Sequence, residues 1–266
     1  MTSGSGSGSD LQGRLKTDRP HSARIWNYLL DGKDNFAADR NAADSVISEL
    51  PEIVDFARAG RRFLARAVEY LAGEAGVRQF LDLGTGLPTA DNTHEVAQRI
   101  APESRIVYVD NDPLVLVHAR ALLTGSPHGA TDYVDADIRE PDKILRAARA
   151  TLDFTQPIAV MMIGILGHVP DEADPAGIVR TIVDALPSGS YLAINDSITT
   201  PLNDGAIETA KSEGWDYHLR TPAQITAFFD GLELVEPGVV SNPRWRPAPG
   251  DDETELAVYC GIGRKH

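Results

Sequence analysis

From residue 77 onward, short apolar runs alternate with amphipathic stretches. The runs 78–83, 105–110, 131–135, 157–163 and 189–195 are rich in Val, Ile, Leu and Met and predict buried strands. Between them, 92–100, 113–123, 141–150 and 174–186 place apolar residues at helical spacing. This alternation predicts a parallel sheet with helices on both faces. It stops near the end of the chain. Leu232–Val235 and Glu255–Ile262 read as strands separated only by the Pro/Gly-rich stretch 237–250, which predicts an antiparallel pair joined by a long loop.

The segment before residue 77 is patterned differently. Ile25, Trp26, Leu29 and Leu30 give one apolar face to a first short helix, which Asp31-Gly32 stops. A polar turn runs from Gly32 to Asp39. Asp39 is expected to cap a helix through Leu50, broken by Pro51. Phe56, Phe63, Leu64, Ala67, Val68 and Leu71 then predict a longer amphipathic helix toward Gly73. The expected organisation is a Gly/Ser-rich, disordered tail over 1–18, a helical cap over 19–76 and an α/β domain over 77–266.

The net charge of −14 disfavours a nucleic-acid partner, because such a surface repels phosphate. The stretch with Arg58, Arg61, Arg62 and Arg66 could form a local basic patch but reads as a solvated helix face. The single cysteine, Cys260, excludes a disulfide framework or a cysteine-rich metal site and fits a cytoplasmic setting. No apolar run approaches the roughly 20 residues of a membrane helix, and the N-terminus has no basic-then-apolar signal pattern. No metal-ligand spacing is visible, and a homodimer is left open.

The chemistry concentrates at the ends of three successive predicted strands. Phe80-Leu-Asp82-Leu-Gly84-Thr85-Gly86 is an apolar run that ends in an acid and a glycine turn. Glycines there permit positive φ and let a ligand approach bare backbone. The second strand ends in Asp110, followed by Asn111, where an acid can accept hydrogen bonds from both hydroxyls of a ribose. The third ends in Asp137 and Ile138, a carboxylate for an exocyclic amine and an apolar contact for a ring. Three acids suit a ligand with hydroxyls, an amine and a positive centre better than a pyrophosphate. They point to S-adenosylmethionine rather than NAD.

Leu81-Asp-Leu-Gly-Thr-Gly86, Val107-Tyr-Val-Asp110-Asn-Asp-Pro113 and Asp135-Ala-Asp137-Ile-Arg139 resemble the first three motifs of class I S-adenosylmethionine-dependent methyltransferases. Phe228-Phe-Asp-Gly231-Leu-Glu-Leu-Val-Glu-Pro-Gly238 resembles the approach to that fold's terminal hairpin. The stretch Ser22 to Arg40 is similar to the N-terminal signature of a largely uncharacterised actinobacterial methyltransferase family. The resemblance implies a Rossmann-like, seven-stranded, mostly parallel sheet with an antiparallel last strand. It implies that Asp82, Gly84 and Gly86 line the methionine end, Asp110 the ribose, and Asp137 with Ile138 the adenine; Thr85 and Asn111 are expected cofactor contacts beside them. Gly164 and Tyr28 complete the expected cofactor set. Leu87-Pro88 stands where many relatives have a third glycine, so the loop 89–93 is expected to be reshaped.

Methyl transfer needs a base only when the acceptor is protonated. His168, after the fourth predicted strand, is the first candidate, and His94, after the glycine turn, is the second. His21, His118, His128, His218 and His266 carry no distinguishing context. Met162-Ile-Gly-Ile-Leu-Gly lacks the Asn/Asp-Pro-Pro-aromatic motif of enzymes that methylate nucleobase amines. The expected reaction is methylation of a small-molecule acceptor at oxygen or nitrogen. The alternatives are an NAD-dependent oxidoreductase and a non-catalytic S-adenosylmethionine or nucleoside binder. Residues 19–40 are expected to fold over the carboxyl edge of the sheet and complete the pocket.

Overall fold

A computed structural model describes residues 16–89, 91–122 and 125–266; the expected tail over 1–18 lies largely outside them. Eight strands form one sheet: β1 (Gln79–Leu83), β2 (Arg105–Asp110), β3 (Ala130–Asp135), β4 (Ala159–Ile163), β5 (Tyr191–Ser197), β6 (Glu233–Leu234), β7 (Val240–Ser241) and β8 (Val258–Arg264). The order is β3-β2-β1-β4-β5-β8-β6, with β7 also on β8. The first five strands are parallel; β8 runs antiparallel to β5, and β6 and β7 antiparallel to β8. The expected last strand pair is therefore present, but its edge strand is split in two. Pro237 lies in the break, where it can donate no ladder hydrogen bond, and Gly238 turns there at φ +88°.

Side-chain alternation builds two cores. Leu81, Leu83, Val107, Val109, Val160 and Met162 point to one face of the sheet. Phe80, Ile106, Tyr108, Ala159 and Met161 point to the other. The first face is covered by α6 (Pro141–Ala148), α7 (Pro175–Asp184) and α9 (Pro222–Ala227). The second is covered by α3 (Ile53–Glu69) and α4 (Thr93–Ile100). α5 (Pro113–Leu122) follows β2.

The N-terminal helices α1 (Ser22–Leu29) and α2 (Ala37–Glu49) build a third cluster with the first turns of α3 and with α8 (Pro201–Ser212). α3 belongs to two clusters at once: Phe56, Ala57 and Ala59 pack with α1 and α2, while Phe63, Leu64, Ala67 and Val68 pack on the sheet. Helix α2 starts at Ala37, earlier than expected. Asp39 sits inside its first turn and accepts from the Phe36 N–H at 2.8 Å. The sequence pattern predicts no helix between 196 and 231, yet α8 and α9 form there. The buried face of α8 is small, Ala206 and Ala210, and gives a weak apolar signal.

The order of strand addition reverses beside β1: β2 and β3 lie on one side, β4 and β5 on the other. The carboxyl ends of β1 and β4 thus border the crevice in which open α/β sheets bind ligands.

Candidate active site

β1 ends in two left-handed glycines, Gly84 at φ +70° and Gly86 at φ +65°. Their reasons differ. A Cβ on Gly84 would stand 2.5 Å from Ile165, so this glycine lets the loop after β4 approach. A Cβ on Gly86 would meet nothing within 4 Å and would project into open space. Gly86 N–H donates to Asp110 Oδ2 at 2.8 Å, and Asp112 N–H donates to Asp110 Oδ1 at 2.9 Å. Those two contacts fix the carboxylate at the tip of β2. Burial holds it above the ordinary carboxyl range.

Asp82 lies 5 % exposed beneath the turn and accepts the Thr93 hydroxyl at 2.6 Å. Burial lifts its pKa to about 6, although the Thr93 hydrogen bond and the Arg61 charge pull the other way. Asp137 is half-buried after β3. Arg139 donates to it at 2.8 Å through Nε, and Asn111 Nδ2 at 3.3 Å; the Arg139 hydrogen bond holds it below the usual carboxylate range.

The strand-end groups open on one cavity of about 260 Å³. That is near the lower end of the roughly 300–1,000 Å³ that small-ligand sites enclose. Asp82, Gly84, Thr85, Gly86, Asp110, Asn111, Asp137, Ile138, Gly164 and His168 all border it.

Two expected site residues do not border it. Tyr28 turns away, and its hydroxyl donates to Asp44 at 2.9 Å. On α1 it is Trp26 and Leu30, one helical turn apart, that face the cavity; Tyr28, midway between them, faces elsewhere. His94 is buried behind the turn. Its backbone N–H donates to the Tyr108 hydroxyl at 2.8 Å, and that hydroxyl lies 2.8 Å from Nδ1. Burial holds its pKa below the usual histidine value. Thr93, not His94, takes the inward position at the start of α4, because its hydroxyl is held by Asp82.

The N-terminal helices supply the wall that strand-end motifs cannot show. His21, Trp26, Asn27 and Leu30 border the cavity from α1 and its approach, and Phe56, Gly60 and Arg61 from α3. Arg61 belongs to the stretch read as a solvated face. Helical periodicity divides that stretch: Arg58 and Arg62 are exposed, while Arg66 donates to the Asn242 and Trp245 carbonyls. Arg61 turns inward, where Nη2 donates to the Asp91 carbonyl at 3.1 Å. Its position beside the apolar residues Leu64 and Ala57 was the available signal. Leu87, where the family resemblance implies a third glycine, packs with Ala23 of α1 and Val115 of α5. That position is the seat on which α1 rests.

On the other side, His168 lies in a single 3-10 turn after β4. Its Nδ1 is 3.0 Å from the Asp216 carbonyl, which can only accept, so Nδ1 carries the proton and Nε2 the lone pair. Burial lowers its pKa to about 4 and keeps the ring neutral at pH 7. The ring packs edge-on against Tyr217 at 4.9 Å between centroids.

A family model described as S-adenosyl methyltransferase matches residues 9–266. The chain belongs to this S-adenosyl methyltransferase family. The methyltransferase is 45 % identical to a DUF574 family protein from Streptomyces avermitilis, with TM-score 0.91, over 95 % of this chain and 100 % of that one. It is 42 % identical to a protein from Thermobifida fusca solved as a candidate methyltransferase, with TM-score 0.88, over 94 % of this chain and 97 % of that one. A methyltransferase from Anabaena variabilis shares the fold at 11 % identity and TM-score 0.51, over 93 % of this chain and 97 % of that one. No curated protein matches.

The family fixes S-adenosylmethionine as the cofactor and sets the NAD-dependent reading aside. The residues present fit it. An open glycine bend leaves room for a ligand chain, carboxylates stand where hydroxyls and an amine need acceptors, and one arginine offers a counter-charge for a carboxylate. Among the described residues no cluster of His, Cys, Asp and Glu could hold a metal, and no helix is long and apolar enough to cross a membrane.

Proposed function

We propose that this methyltransferase transfers the methyl group to oxygen or nitrogen of a small, uncharged acceptor enclosed beneath α1 and α3. The observation that carries this reading is the continuation of the cavity beyond the strand-end carboxylates to a wall of Trp26, Leu30, Phe56, Leu64 and Ile165. When bound, S-adenosylmethionine supplies a methyl carbon made electrophilic by its sulfonium. The chain's part is to bind, orient and hold a proton.

Asp110 would take the ribose hydroxyls; each of its oxygens accepts one backbone N–H and retains a second lone pair. Asp137 and Ile138 would meet the adenine. Asp82 would face the amine and Arg61 the carboxylate of the methionine end, with Gly86 giving bare backbone between them. Trp26, Phe56 and Leu64 would exclude water and hold the acceptor in line, where much of the rate gain of a displacement arises. His168 Nε2, with its lone pair free of the backbone, would accept the proton of an acceptor hydroxyl. The chemistry, with one buried cysteine, suits a reducing cytoplasm.

Isothermal titration with S-adenosylmethionine and S-adenosylhomocysteine tests the cofactor side. Asp110→Ala should weaken both by about 100-fold, the worth of two hydrogen bonds to a charged group; unchanged affinity in a folded sample overturns the assignment. For the acceptor side, a methyl-transfer assay against a fractionated small-molecule extract should find an acceptor below about 1 kDa. With it, His168→Asn should lower turnover by about 100-fold or more while S-adenosylhomocysteine affinity holds.

A further inference from the structure

At the acceptor end of the cavity two local costs fall on one point. Asn195, at the carboxyl end of β5, borders the cavity and is only 4 % exposed. Its Nδ2 is enclosed without a hydrogen-bond partner among the described residues. A buried polar group left unpaired carries the desolvation penalty of that group uncompensated. Beside it, α3 carries Gly60 in its interior, where glycine is destabilising relative to alanine. A Cβ at Gly60 would stand 3.5 Å from Asn195 Oδ1, and one at Gly164, just past β4, would stand 3.9 Å from it. The carboxamide is thus framed by bare backbone on two sides. Gly164 N–H also donates to the Asn195 carbonyl at 2.8 Å, which ties this residue to the turn before His168. Violations of local rules that gather at one place in a fold mark function.

His168 repeats the pattern with the opposite polarity: its Nε2 is enclosed, unpartnered and an acceptor. Trp26, Phe56, Leu64 and Ile165 add apolar surface to the same cavity. The two other carboxamides on the cavity wall are already committed: Asn27 Oδ1 accepts from Asp34 N–H and Asn35 Nδ2 at 3.0 Å each, and Asn111 Nδ2 donates to Asp137 at 3.3 Å.

We propose that Asn195 is the specificity-determining residue of the acceptor site, donating through its carboxamide to an oxygen of the acceptor while His168 receives the hydroxyl. This rests on the methyl-transfer reading above and names its substrate class: a flat, apolar, uncharged molecule that carries one hydroxyl and one separate acceptor oxygen. A purely hydrocarbon one leaves both buried polar groups unpaired.

The test uses the full chain saturated with S-adenosylhomocysteine and five probes. These are 2-, 3- and 4-hydroxyacetophenone, which hold the two oxygens at three spacings, and phenol and acetophenone, which carry one each. In calorimetric titration at least one hydroxyacetophenone should bind about tenfold tighter than both single-oxygen probes. In Asn195→Leu that advantage should vanish, while S-adenosylhomocysteine affinity stays within twofold of the parent and certifies the fold. Asn195→Ser, a smaller change, should lose the advantage too. No preference in the parent chain, no measurable binding of any probe, or a preference retained in both variants overturns the proposal. Failure of S-adenosylhomocysteine itself to bind would instead overturn the methyl-transfer reading.

Discussion

Asp82 carries two conflicting demands. Its burial serves the strand end, and its charge would serve a cationic amine. The raised pKa, about 6, means that burial makes the ionised form, which still dominates at pH 7, costly in the free protein. A group whose folded value exceeds its unfolded one contributes stability below the unfolded value and loses it as pH rises through the folded one. Asp82→Asn should therefore melt higher than the parent at pH 7 in a thermal scan without cofactor. The same substitution should lower S-adenosylmethionine affinity at pH 8. In the parent, affinity should fall as pH drops below about 6, by at most roughly tenfold per pH unit, and this slope should flatten in the variant. An unchanged slope would place the amine elsewhere. At this scale the position of a residue that ends a strand was legible in the sequence, and Asp82, Asp110 and Asp137 all border the cavity. It was poorly read on helices, where one position decides between a cavity and a hydrogen bond outside it, as for Trp26 and Tyr28. His94 was misplaced for the same reason, since the start of a helix offers several directions and only packing selects one.

Among elements, the segment from Ser22 to Arg40 is held by polar locks. Asp39, fully buried, accepts from His21 N–H at 2.9 Å, Phe36 N–H at 2.8 Å and Arg24 Nε at 3.1 Å. It fastens the start of α1 to the start of α2. Gly32 closes against Asn27, where a Cβ would stand 2.3 Å from the carboxamide nitrogen. The family-like signature in this stretch is thus largely architecture, and its contribution to the cavity comes from the side chains between the locks. Asp39→Ala removes one partner of a buried ion pair, which costs about 3–5 kcal/mol. A thermal melt should show Tm lowered on the order of 10 °C; a loss under 2 °C would mean that α1 and α2 are held mainly by their apolar faces. Leu87→Gly should act differently. It removes the seat of α1 while leaving the sheet intact, so calorimetry should show weaker cofactor binding with a smaller change in Tm.

For the whole molecule, the site exists because two layers meet. Strand ends provide the carboxylates and the bare bend, and the N-terminal helices provide Arg61 and the apolar wall. Binding of S-adenosylhomocysteine should therefore slow amide exchange in both layers, at 84–86 and 110–112 on the sheet edge and over Ser22–Leu29 in α1. Hydrogen-exchange mass spectrometry reads this directly. Protection confined to the sheet edge would show that the helices are no part of the cofactor site. The sequence by itself determined the alternation of strands and helices, the acids at three strand ends and the antiparallel finish, because each depends on residues near one another in the chain. Side-chain alternation and turn chemistry are local properties. Only the tertiary structure decided that Arg61 turns inward, that Leu87 seats α1, that Gly60 passes beside Asn195 and that the edge strand breaks in two. Those facts join segments more than a hundred residues apart in some cases, and they follow from which helix face is buried against which neighbour, a choice made by packing rather than by local pattern.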